Sequence, residues 1–115
     1  MTSGILQDVH YYDMEFDEQN GVLELDRVYT FDDDCFKAND YRRLEAIYPQ
    51  LPGFLTAAEW PCWFGQDAED EFYLAPSWEP PGLQLYGRVQ IAEFTNWEKT
   101  FHELLLQANF PYRKL

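Results

Sequence analysis

Tyr11-Tyr12-Asp13-Met14-Glu15-Phe16-Asp17-Glu18-Gln19-Asn20-Gly21-Val22-Leu23-Glu24-Leu25-Asp26-Arg27-Val28-Tyr29-Thr30-Phe31 is the stretch that decides the fold. Side chains alternate across a strand, so alternating polarity marks a strand buried on one face only. In the first run Tyr12, Met14 and Phe16 fall on one side, and Tyr11, Asp13 and Glu15 on the other. In the second, Leu23, Leu25, Tyr29 and Phe31 share one side, and Glu24 and Asp26 the other. Between them stands Asn20-Gly21, a pair that tolerates the positive φ angles of a tight hairpin turn. The pattern predicts a β-hairpin with one apolar and one acidic face.

Asp32-Asp33-Asp34 ends the second strand. A helix is expected from about Asn39 to Tyr48, capped by Asn39 or Asp40 and stopped by Pro49, with Tyr41, Leu44, Ile47 and Tyr48 as its stripe. Phe72 to Ala75 is a strand candidate, and Pro76, Pro80, Pro81 and Gly82 break the chain around Trp78. Leu83, Leu85, Gly87, Val89 and Ile91 then alternate with Gln84, Tyr86, Arg88 and Gln90, which predicts a half-buried strand. Thr95-Asn96-Trp97-Glu98 has capping-box spacing, and Trp97, Phe101, Leu104, Leu105 and Ala108 form a helical stripe. On this reading Glu98 and His102 are a surface pair. The expected fold is α+β: one domain over residues 1–115, with an antiparallel sheet of four to five strands in ββα-ββ(β)-α order and two helices on one face.

Composition narrows the function. The 115 residues carry 21 acids against 8 bases, a net charge of −13, and 18% of them are aromatic. That aromatic content argues for a packed core rather than disorder. A nucleic-acid binder needs a basic stripe. Here Arg27, Lys37, Arg42, Arg43, Arg88, Lys99, Arg113 and Lys114 are scattered, so neither nucleic acid nor an anionic membrane is an expected partner. The first eight residues lack a basic and then apolar leader pattern, and the longest uncharged run, Ala46 to Ala58, is broken by Pro49 and Pro52. Cys35 and Cys62 have no zinc-ligand spacing and read as buried thiols rather than a disulfide, which fits a cytoplasmic protein.

Motifs for chemistry are weak. There is no GxSxG, P-loop, GxGxxG or HExxH pattern, and no cofactor or metal signature. Asp13, Glu15, Asp17, Gln19, Gly21 and Glu24 fall on calcium-loop spacing, but Glu18 stands where that loop needs glycine and the flanks alternate like strands. With 21 acids, a carboxylate pair at a chosen spacing carries no information about catalysis.

The acidic hairpin face is the informative feature. Like charges directly opposite one another destabilise a sheet, and a surface needs only mixed charge to stay soluble. A plain solvating face is the competing explanation. The leading expectation is a small immunity-, antitoxin- or nuclease-inhibitor-like protein that covers the basic surface of a toxin or nuclease, its carboxylates mimicking phosphates. The expected contact residues are Asp13, Glu15, Asp17, Glu24, Asp26, Asp32, Asp33 and Asp34, with Trp78 as an exposed aromatic anchor. Two alternatives are a small metal-dependent hydrolase using clustered carboxylates, and a ligand-binding module with an aromatic platform of Trp60, Trp63 and Trp78.

Overall fold

The computed structural model describes residues 9–31, 36–67, 69–79 and 82–110. Asp32, Asp33, Asp34 and Cys35 lie outside these residues. The fold is α+β, a four-stranded antiparallel sheet with two helices, as the patterning predicts. The strands are β1 (Tyr11–Gln19), β2 (Val22–Thr30), β3 (Tyr73–Glu79) and β4 (Gly82–Gln90), in sheet order β1-β2-β4-β3. The helices are α1 (Ala38–Ile47) and α2 (Ile91–Ala108). Two isolated bridges, Phe54 with Trp63 and Trp63 with Leu74, extend the pairing beyond β3.

Asn20 and Gly21 both take positive φ, 55° and 80°, and close the β1–β2 hairpin as expected. The register then departs from simple alternation. Asp13 faces Arg27, but Glu15 faces Asp26, so Met14 is an extra residue in β1. Such a bulge reverses the parity of the strand on its far side. Glu15 and Asp17 therefore share the outer face with Glu24 and Asp26, while Tyr11 and Asp13 share the inner face with Arg27 and Tyr29. Simple alternation places Asp13 with Glu15 and Tyr12 with Phe16, and this one extra residue overturns both pairings.

The core lies between the inner sheet face and the helices. From the sheet it takes Leu23, Leu25, Tyr29, Leu74, Leu83, Leu85 and Val89, and from the helices Leu44, Ile47, Phe94, Trp97, Phe101 and Leu105. Rings dominate it. Trp63 and Trp97 meet edge to face at 5.1 Å, and Tyr29 meets Phe101 at 5.2 Å. Contacts of this kind add about 0.5–1.5 kcal/mol each beyond burial alone. Trp63 Nε1 donates to the Tyr48 carbonyl at 3.1 Å. Trp97 Nε1 is buried without a hydrogen-bond partner, the one such side-chain atom among the described residues.

Several element boundaries differ from expectation. Pro76 lies within β3 instead of ending it. That is allowed because β3 is an edge strand, where a missing N–H costs no ladder bond. Helix α1 starts at Ala38, one residue early, and the Lys37 amide donates to the Asp40 carboxylate at 2.9 Å. Helix α2 starts at Ile91, four residues before the predicted cap. The Ile91 amide donates to the Gly21 carbonyl at 2.9 Å, so the hairpin turn caps the strand-to-helix junction. Thr95 is then inside the helix, its hydroxyl bonded to the Ile91 carbonyl at 2.9 Å.

Candidate functional site

The outer face of the sheet can be read row by row. Asp17, Glu24, Arg88 and Tyr73 form one row across β1, β2, β4 and β3. Glu15, Asp26, Tyr86 and Ala75 form the next, then Tyr12, Val28, Gln84 and Ser77. Two like-charged pairs thus stand directly opposite each other, Asp17 with Glu24 and Glu15 with Asp26. Cross-strand pairs of like charge are destabilising.

Relief within this face is partial. Arg88 lies 3.3 Å from Glu24 and 3.2 Å from Glu71. All three side chains are at least a third exposed, and ion pairs so exposed contribute little. Asp26 accepts a hydrogen bond from Gln84 at 2.8 Å, which orients it without neutralising it. Asp17 lies 3.4 Å from the Gln19 amide.

Asp13 is different. The bulge turns it inward, where its carboxylate accepts from Arg27 Nε at 2.7 Å and Nη2 at 3.3 Å. Arg27 Nη1 donates to Glu98 at 2.6 Å and to the Tyr29 hydroxyl at 3.2 Å. The guanidinium is 3.9 Å from the Tyr11 ring centre and 5.5 Å from those of Phe16 and Phe94. Burial alone would lower the Arg27 pKa. Its bonds to Asp13, Tyr29 and Glu98 outweigh this and hold it above its ordinary value. Asp13 is therefore a structural partner of a buried cation and leaves the set of open carboxylates.

His102 is also not a surface residue. Its Nε2 lies 2.9 Å from the Tyr29 hydroxyl. Burial lowers the imidazole pKa to about 4, with Glu98 opposing and Arg27 reinforcing the shift. The Tyr29 hydroxyl accepts from Arg27 and shares a hydrogen bond with His102 whose direction follows the imidazole tautomer. Burial likewise raises the Tyr29 pKa.

The tryptophans sort in an unexpected way. Trp78 is not exposed. It packs on the inner side, stacked with Phe31 at 5.8 Å and Phe36 at 5.0 Å and edge-on to Tyr41 at 4.7 Å. Trp63 is buried, so Trp60, Trp63 and Trp78 do not form a common platform. The exposed indole is Trp60, at 75%. It borders a groove of about 510 Å³ that also has Glu59, Gln66, Asp67, Glu69 and Tyr86 in its lining. Tyr86 belongs to both this groove and the acidic rows, so the two surfaces are continuous. Its hydroxyl lies 3.5 Å from Asp67, and burial together with that carboxylate raises its pKa. Sequence reasoning names Trp60 within the aromatic platform but takes Trp78, not Trp60, as the exposed anchor. The signal for Trp60 was its position between Glu59 and Pro61, away from any periodic stripe.

Cys62 is a free, buried thiol whose pKa is raised by burial and by Asp70. Among the described residues, no group of three or more His, Cys, Asp or Glu could hold a metal ion. The calcium-loop spacing spans an antiparallel hairpin whose first member, Asp13, faces the core. Among the same residues, no helix is long and apolar enough to cross a membrane. The chain matches no protein-family model, no curated protein and no solved structure.

Proposed function

We propose that this chain is a small acidic inhibitor of the immunity or antitoxin kind, which binds the basic surface of a cytoplasmic toxin or nuclease and occupies it with carboxylates in place of phosphates. The observation that carries this reading is the pair of like-charged cross-strand rows, Asp17 with Glu24 and Glu15 with Asp26, where among the described residues the ion pair on these rows is that of the partly exposed Arg88 with Glu24. A face that only had to be soluble gains nothing from setting carboxylates directly opposite one another. A cationic partner removes that repulsion on binding. Fixed negative charge on a sheet also draws a basic partner in and selects against acidic ones. Nucleic acid itself is repelled by a chain of net charge −13.

The test is the variant Glu15→Lys/Asp17→Lys/Glu24→Lys/Asp26→Lys, checked for fold by circular dichroism and presented beside the unaltered chain to an extract of the native host. The expected result is a protein of net positive charge, held by the unaltered chain, released by salt and lost from the variant. Its association rate should fall roughly tenfold or more. A partner bound equally well by the folded variant would overturn the proposal.

A further inference from the structure

The groove beside Trp60 has a chemistry of its own. Its lining includes the exposed indole and three carboxylates, Glu59, Asp67 and Glu69, and among the described residues it has no lysine, arginine or histidine. Its volume, about 510 Å³, falls in the range of pockets that bind ligands. An aromatic face beside carboxylates is what a cation with a flat apolar surface requires.

The groove is also held in shape on both sides. Trp60 sits in a loop closed by the Leu55 amide to the Cys62 carbonyl at 3.1 Å and the Phe64 amide to the Gly53 carbonyl at 2.8 Å. Across from it, the Gln66 amide donates to the Asp70 carboxylate at 2.8 Å, and the Asp70 amide to the Gln66 carbonyl at 2.9 Å. Gly65 fits this loop against the sheet, since a Cβ there would lie 2.0 Å from the Phe72 carbonyl oxygen. These bonds hold the backbone on both sides of the groove, so its two walls need little reordering when a ligand enters.

We infer that this groove seats an arginine side chain of the basic partner, its guanidinium stacked on Trp60 and bonded to Asp67 or Glu69. This rests on the proposed function and adds the residue that anchors the complex. Arginine fits better than lysine because its planar fork stacks on a ring and pairs with a carboxylate through two parallel bonds. A second copy of the chain is disfavoured by its own charge of −13.

The experiment titrates the full chain with hexa-arginine while following the four tryptophan indole N–H resonances. The Trp60 resonance should move first. Trp60→Ala, an exposed site whose loss spares the core, should weaken binding about tenfold. Asp67→Asn/Glu69→Gln should act similarly, and hexalysine should bind at least threefold more weakly. Unchanged affinity in Trp60→Ala overturns the groove assignment. If the fourfold lysine variant of the sheet face still loses affinity in that case, the acidic-face proposal survives alone. If neither variant matters, both fall. A Trp60 resonance that responds to maltohexaose and not to hexa-arginine overturns the assignment in favour of a sugar.

Discussion

Arg27 and Arg88 stand on opposite faces of the same sheet, each between two carboxylates, and they have opposite meanings. Arg27 is 2% exposed and lies 2.7 Å from Asp13 and 2.6 Å from Glu98. The Arg88 side chain is 36% exposed and lies 3.3 Å from Glu24 and 3.2 Å from Glu71. Burial makes the first arrangement obligatory, because a buried ion is stable only with its partners in place. Exposure makes the second optional, because water and salt screen it. The inner arginine ties the edge strand β1 to α2 through Asp13 and Glu98. The outer one leaves the open face largely acidic. A count of acids and bases does not separate these roles; the face of the sheet does.

The largest expected effect breaks this contrast at its centre. Arg27→Ala should destabilise the chain by about 3–5 kcal/mol in urea unfolding, since it removes a buried cation and strands its two carboxylates. Arg88→Ala should change stability by less than about 0.5 kcal/mol. Equal effects would mean that the two networks are energetically alike. The next test addresses the side chain that the bulge turns inward. Asp13→Ala removes the carboxylate that meets Arg27 at 2.7 Å. A loss of about 2 kcal/mol is expected in urea unfolding. A variant as stable as the unaltered chain would show that Asp13 does not hold the buried guanidinium.

The smallest effect concerns pH. His102 titrates in the fold at about 4, below its ordinary value of 6.5, because burial favours the neutral ring. The unfolded chain therefore binds more protons between these values. The contribution is complete above pH 6.5 and is lost as pH falls from 6.5 toward 4. Allowing for the partial exposure of the ring, the loss is on the order of 1–2 kcal/mol. The groups that bear on it are Glu98 on its own helix and Arg27, Tyr29, Tyr11 and Asp13 from the sheet. Unfolding midpoints of the unaltered chain and of His102→Gln, compared from pH 7 to 4.5, should converge as pH falls. Parallel curves would exclude His102 as the titrating group.

Much of this architecture was legible in the sequence because it depends on near neighbours. The Asn20-Gly21 turn, the alternation of β2 and β4, and the stripe of α2 all express local periodicity. What escaped depends on distant contacts. Nothing in Asp13-Met14-Glu15 announces an extra residue, and the partner that the bulge brings to Asp13, Arg27, lies fourteen residues away. Beginning α2 at Thr95 left Phe94 out of the apolar stripe. Including it moves the stripe toward Glu98, four residues later, and then toward His102, which explains why both point at the sheet and not at water. Trp78 was misplaced because its loop-like prolines concealed an edge strand, whose inner side stacks on Phe31 and Phe36. The acidic face was legible except for Asp13, and the Trp60 groove was not, because it joins a loop to a sheet row far from it in sequence.

The outer edge of β1 has one more consequence. Among the described residues this strand ends the sheet, and Tyr12, Met14 and Phe16 are 42%, 58% and 47% exposed along it. A long strand of that character is a template on which identical chains can stack into fibrils. Glu15, Asp17 and Glu18 interrupt the apolar positions, so two copies brought edge to edge would align carboxylate against carboxylate. The charge of this face thereby guards the ribbon against its own kind.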